Sequence, residues 1–191
     1  MSGAPPRSSA RGKTAAPAAA AGKTPAPAVA GRIRASVAIV QSLWNRAITD
    51  ALADGAVRAA AAASAPCDRF TVAGAFELPA AVRLLAGSGR YDAVVPLGCL
   101  IRGETPHFQV LADAVAAGLM TVSLESDVAI PFGVLACETL AQAKARAGGR
   151  EGNKGTEAME AALSLVALRQ RIAPSRRRAL RPAAVERRDA G

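Results

Sequence analysis

From Arg34 onward the chain repeats one pattern four times: a short run rich in β-branched residues, then a longer stretch with apolar side chains at helical spacing. Ser36-Val37-Ala38-Ile39-Val40 opens the series, and the segment after it places Ile48, Leu52, Ala56 and Val57 on one face. Phe70-Thr71-Val72 is the second strand, with Leu78 to Ala86 as its helix. Tyr91 to Ile101 is the third strand, followed by a helix from His107 to Met120. Val128 to Leu135 is the fourth, and helices follow at Glu138–Ala147 and Gly155–Ile172, the last ended by Pro174. Strands separated by helices in this way predict an α/β fold with a parallel sheet covered on both faces. In such a sheet, ligands bind beyond the carboxyl ends of the strands. Pro96 is out of place, because it removes a ladder donor from what should be a buried strand.

The apolar residues locate the domain. Alanine accounts for 48 residues, and of the 49 larger apolar residues 45 lie between Ile33 and Ile172. We therefore place one domain at 33–173, between extensions at 1–32 and 174–191. A chain of that size buries roughly two-thirds of its unfolded surface, so it requires no disulfide or metal staple. No apolar run approaches the ~18–20 residues that cross a bilayer, which argues against a membrane protein.

The formal charge of +9 divides unevenly. Residues 1–36 carry six basic residues and no acidic one, and residues 169–191 carry eight Arg against Glu186 and Asp189. Between them lie ten basic and thirteen acidic residues. The domain is thus mildly acidic, and any nucleic-acid partner is expected through the basic tails alone. The leader has the composition of a disordered segment. It lacks the apolar centre of a signal peptide, which points to the cytoplasm, although an acid-free leader also suits organelle targeting. Cys67, Cys99 and Cys137 are odd in number and lack CxxC spacing, so they read as small buried hydrophobes. With a single His, no zinc site is expected.

Four strand ends carry the candidate chemistry. After the first, Trp44 is either a core plug or a stacking platform, and Asn45 suits a helix N-cap. After the second, Gly74-Ala75-Phe76-Glu77 places amides near a helix start. Glu77 there either favours the helix dipole or accepts ligand hydroxyls. After the third, Gly98-Cys99-Leu100-Ile101-Arg102-Gly103-Glu104-Thr105-Pro106-His107-Phe108 forms a Gly-flanked loop suited to a phosphate. It contains the sole histidine, His107, a candidate proton carrier. Beyond the fourth, the basic, Gly-rich stretch Arg146–Gly155 could wrap a phosphate. It is not a Walker A loop, no dinucleotide fingerprint is present, and no Ser occupies a nucleophile elbow.

In order and spacing, Gly74–Pro79, Leu97–Phe108, Phe132–Leu135 and Arg146–Glu157 together resemble the lumazine synthase family of riboflavin biosynthesis. The resemblance spans roughly residues 33–172. It implies a flavodoxin-like α/β/α sandwich with a four-stranded parallel sheet, assembled into pentamers with active sites between subunits. It also implies condensation of 5-amino-6-(D-ribitylamino)uracil with 3,4-dihydroxy-2-butanone 4-phosphate to 6,7-dimethyl-8-ribityllumazine, phosphate and water. No metal or organic cofactor is implied, and riboflavin synthase is an implied associate. By position in the motifs, Trp44 would stack on the pyrimidine, Ala75, Phe76 and Glu77 would line the ribityl chain, and Leu100 and Ile101 would meet the pyrimidine edge. Gly103, Glu104 and Thr105 would hold the phosphate with a neighbour's Arg146. A neighbour's Phe132 would cover the substrate, His107 would move protons, and Lys154 and Glu157 would support the local charge balance. A catalytically silent shell or flavin-binding protein on the same scaffold is the competing reading.

Overall fold

The structure is a computed structural model describing residues 35–172; the two extensions lie outside the described residues. Four strands, β1 (Val37–Ser42), β2 (Cys67–Val72), β3 (Ala93–Ile101) and β4 (Gly133–Cys137), form one all-parallel sheet in the order β2-β1-β3-β4. Helices α1 (Arg46–Ala62), α2 (Leu78–Gly87), α3 (His107–Glu125), α4 (Leu140–Arg146) and α5 (Lys154–Ile172) connect and cover it. Ala147–Gly149 and Gly152–Asn153 (β5 and β6) pair as a small antiparallel hairpin between α4 and α5.

Alternation along β1 divides the core. Val37 and Ile39 point to one side with Val95 and Leu97, against Leu52, Ala56, Met159 and Leu163 of α1 and α5. Ala38 and Val40 point to the other with Val94 and Val134, against Leu78 and Val82 of α2 and Val115 and Leu119 of α3. A strand buried on both faces needs apolar residues at every position, as β1 and β3 have in their lower halves. The result is a flavodoxin-like three-layer α/β/α sandwich with a four-stranded parallel sheet.

Pro96 fits for a specific reason. Val94 N donates to Ala129 O at 2.9 Å, toward the β4 side. Donor direction alternates along a strand, so position 96 would donate the same way. Between the isolated bridge at Ala129 and the start of β4 at Gly133 the ladder is interrupted. The missing N–H therefore falls where no acceptor strand is paired. Gly133 is required by the same approach, since a Cβ there would lie 2.5 Å from Pro96 O.

Three sequence expectations need correction. β2 begins at Cys67, earlier than Phe70, and β4 covers only the end of the predicted fourth run plus Ala136 and Cys137. Helix α3 continues past Met120 to Glu125, giving 19 residues that are long and apolar enough, by length and composition, to cross a membrane. Gln109 and Asp113 break the apolar run without breaking the helix, so no uninterrupted run marks it in the sequence.

Candidate active site at the strand ends

The carboxyl ends of the strands are stitched to one another by contacts that only the fold creates. Leu43 N donates to Val72 O (2.9 Å) and Trp44 N to Ala73 O (3.2 Å), joining the β1–α1 turn to the end of β2. Asn45 sits in the left-handed region (φ 57°, ψ 42°), which Asn tolerates better than most residues. It occupies the N-cap position without capping by its side chain; its Nδ2 instead donates to Cys99 O at 2.9 Å, tying the same turn to β3. Arg102 N donates to Cys137 O at 2.9 Å, tying β3 to β4.

On this edge the expected ligand-facing side chains stand in solvent. Trp44 is 72% exposed and Phe76 is 60% exposed, so Trp44 is not a core plug within this chain. Ala75 is buried at the start of a 3-10 turn, Ala75–Glu77. Glu77 Oε2 accepts from Gly74 N at 2.8 Å, which holds the turn and uses part of the carboxylate's accepting capacity. Leu100 and Ile101 end β3, and Gly103, Glu104 and Thr105 lie exposed between it and His107, the first residue of α3. A Cβ at Gly103 would meet nothing within 4 Å, so the loop backbone faces open space. His107 is exposed at the same edge.

Other residues stand apart. Phe132, 57% exposed, precedes β4 and lies five residues below Cys137, roughly 16 Å along the strand. Arg146 ends α4, with Nη1 donating to its own Gln142 O at 3.2 Å. No described hydrogen bond or ion pair joins it to Gly103–Thr105 or His107. Lys154 and Glu157 pair with each other in the first turn of α5. Within one chain, then, Trp44, Phe76, Glu77, Gly103–Thr105 and His107 share an edge, whereas Phe132 lies lower along β4, Arg146 bonds within α4 with its charge reaching Cys137 at the end of β4, and Lys154 and Glu157 pair with each other in α5.

The stretch Arg146–Gly155 is not an open loop. It folds as the β5–β6 hairpin, with Gly148 at φ 114° and Gly152 at φ 78°. Asn153 closes it: Nδ2 donates to Ala51 O (2.8 Å), and Oδ1 accepts from Gly155 N (2.9 Å) and Thr156 N (3.1 Å). Its side chain fills the space left by Gly55, where a Cβ would fall 2.3 Å from Oδ1. Sequence reasoning assigned no role to Asn153 or Arg102. A polar residue just before a helix start was the available signal for Asn153, and none was available for Arg102.

Burial raises the pKa of all three thiols. Burial pushes the Cys99 thiol up to about 12, with the neighbouring Cys137 adding to the shift. Burial also raises Cys137, opposed by the Arg146 cation, and raises the half-buried Cys67. Among the described residues, no three His, Cys, Asp or Glu side chains converge as a metal site would require.

An open parallel sheet with aromatic, Gly-rich and histidine-bearing turns on its carboxyl edge defines an α/β protein of the small-molecule-binding class. Comparison with known proteins makes this particular. The profile of the 6,7-dimethyl-8-ribityllumazine synthase family matches residues 34–170. The chain is 45% identical to the 6,7-dimethyl-8-ribityllumazine synthase of Gemmatimonas aurantiaca over 142 residues, covering 73% of this chain and 87% of that protein. It is 47% identical to the enzyme of that name from Edwardsiella ictaluri over 137 residues, covering 70% and 88%. The Xanthomonas oryzae pv. oryzae enzyme is 46% identical over 137 residues, covering 70% and 89%. The chain belongs to the 6,7-dimethyl-8-ribityllumazine synthase family.

Proposed function

We propose that this chain makes 6,7-dimethyl-8-ribityllumazine from 5-amino-6-(D-ribitylamino)uracil and 3,4-dihydroxy-2-butanone 4-phosphate. The observation that carries the reading is the Gly103-Glu104-Thr105-Pro106-His107 turn, which joins the carboxyl end of β3 to the amino end of α3. That turn offers amides at a helix N-terminus to a phosphate, with an exposed imidazole beside them. The reactants, an aromatic amine and a phosphorylated ketone, carry their own reactivity. The protein holds them together, moves protons through His107 and stabilises the departing phosphate. Trp44 stacks on the pyrimidine, whose edge meets the backbone of Leu100 and Ile101. Ala75, Phe76 and Glu77 line the ribityl chain.

Phe132 stands well short of this edge and Arg146 makes no described bond to the turn, which supports a site completed by a second copy, whose Phe132 and Arg146 enter it. Lys154 and Glu157 support the local charge balance. Assembly as pentamers is favoured by the apolar side chains left in solvent on α2 and α3, Leu84, Val110, Met120 and Leu124 among them. The setting is cytoplasmic. Riboflavin synthase, which consumes the product, is a fitting associate, and nucleic acid is a partner only of the basic extensions.

Mixing the protein with both substrates tests the assignment through the fluorescence of the lumazine. Formation well above the uncatalysed rate is expected, and its absence would leave the silent-scaffold reading. His107→Ala should lower turnover by roughly 10²-fold, the usual scale for a general acid–base group, with assembly intact. Arg146→Ala should chiefly raise the KM of the phosphorylated ketone.

A further inference from the structure

Arg102 is the first residue beyond β3 and the last before Gly103, and it is held at four points. Its amide donates to Cys137 O at 2.9 Å. Its Nε pairs with the carboxylate of Glu138, the first residue beyond β4. Its guanidinium carbon lies 4.5 Å from the centre of the Phe108 ring. Its Nη2 reaches Gln109 Oε1 at 3.5 Å, and Gln109 Nε2 donates onward to Asp113 Oδ1 at 2.9 Å. One side chain thus grips both the entry to the 103–106 turn and its exit, the first turn of α3. Between these grips, no described hydrogen bond or ion pair involves the side chain of Glu104 or Thr105.

We infer that Arg102 is a positioning residue: its clamp on Glu138, Phe108 and Gln109 sets where the 103–106 amides and His107 stand. The inference rests on the reading of this turn as the phosphate cradle. A planar guanidinium can meet a carboxylate with its edge and an aromatic ring with its face at once; an ammonium cannot, so Lys does not replace it. The two side chains of the ion pair are 39% and 57% exposed. Solvent screens such a pair, and its loss leaves the fold while releasing the turn. Displacing a cradle by a fraction of its own width is enough to lose orientation of a bound group.

The test uses the full chain with Arg102→Lys, Glu138→Ala and the double variant, measuring kcat and KM for each substrate together with melting temperature and assembly. Each single change should raise KM for the phosphorylated ketone about tenfold and leave KM for the ribitylaminouracil within about twofold. Melting temperature and assembly should be unchanged. The double variant should be no worse than either single, because both break one clamp. If Arg102 instead touched the phosphate directly, Glu138→Ala would free its cation and lower that KM, which would overturn the inference. A rise in both KM values together with a fall in melting temperature would overturn it equally. Thr105→Ala separates the two readings. If it too leaves KM for the phosphorylated ketone unchanged, the cradle itself is misplaced; if it raises that KM while the Arg102 and Glu138 variants do not, the clamp alone fails.

Discussion

At the scale of single residues, the site is built as much by backbone groups as by side chains. Cys99 illustrates this: its carbonyl takes the Asn45 amide, while the residue, 1% exposed, packs into the core cluster under α1 and α5. The thiol's protonated form is the one the fold accommodates, with its pKa pushed from the ordinary value of 9.0 to about 12. A raised pKa means the folded state holds the proton longer than the unfolded chain. Its contribution is complete below about pH 9 and is lost as pH climbs toward about 12. Stability from chemical denaturation should therefore fall through that interval, and fall less steeply for Cys99→Ala. The same burial predicts that a thiol reagent at pH 8 labels Cys67 first and reaches Cys99 only on unfolding. Equal labelling rates for the two in the native protein would contradict the burial account.

At the scale of elements, the contact between α1 and α5 fixes where the hairpin and its neighbours can lie. Gly155 stands so close to α1 that a Cβ would fall 1.9 Å from Leu52 O. Alanine is the better helix former by about 1 kcal/mol, yet that gain cannot be realised without pushing two helices apart. Overpacking of this kind costs roughly 1–3 kcal/mol or more, so Gly155→Ala should be destabilising by about 2 kcal/mol net. It should appear as a lower denaturation midpoint at unchanged slope. Gly87→Ala is the control: a Cβ there meets nothing within 4 Å, so the helix-forming gain is realised and the midpoint should hold or rise slightly. Which elements could be read beforehand follows from the same physics. β1 and the lower part of β3 are legible because burial on both faces demands apolar residues. The first half of β2, Cys67-Asp68-Arg69, is not, because it lies at the sheet edge, where pairing rather than burial makes it a strand. Val128 to Ile130 misled in the opposite sense: these residues are buried, yet only Ala129 forms a bridge. The strand ends could be found from topology alone, and with them Trp44, Glu77 and His107. The stitches by Asn45 and Arg102 could not, because each depends on the register of a neighbouring strand. The hairpin was equally hidden, since Asn153 acts by fitting the notch at Gly55.

At the scale of the whole molecule, the described chain ends and the candidate site lie at opposite edges of the sheet. Ser36 O accepts from Asp92 N (2.7 Å), Asp92 O accepts from Ala129 N (3.0 Å), and Ser126 O accepts from Arg169 Nη2 (2.9 Å). These contacts gather the start of β1, the approach to β3, the segment after α3 and the last turns of α5 at the amino edge of the sheet. Both described ends, Ala35 and Ile172, therefore leave from the edge opposite His107. The extensions continue from there with most of the cations that outweigh the acidic domain. Extensions of that composition suit a polyanion. The expected behaviour is RNA binding by the purified full-length protein that weakens steeply with salt. If about six phosphates are neutralised, affinity should drop by roughly two to three decades between 50 and 200 mM salt. Replacing Arg176, Arg177, Arg178, Arg181, Arg187 and Arg188 with Gln in the full chain should remove much of that salt dependence while lumazine formation stays within about twofold. Filter binding across a salt series, with the fluorescence assay run alongside, decides the matter. RNA binding that ignores salt or survives the Arg→Gln changes would place the polyanion elsewhere on the molecule, and a parallel loss of lumazine formation would mean that the two ends are not independent.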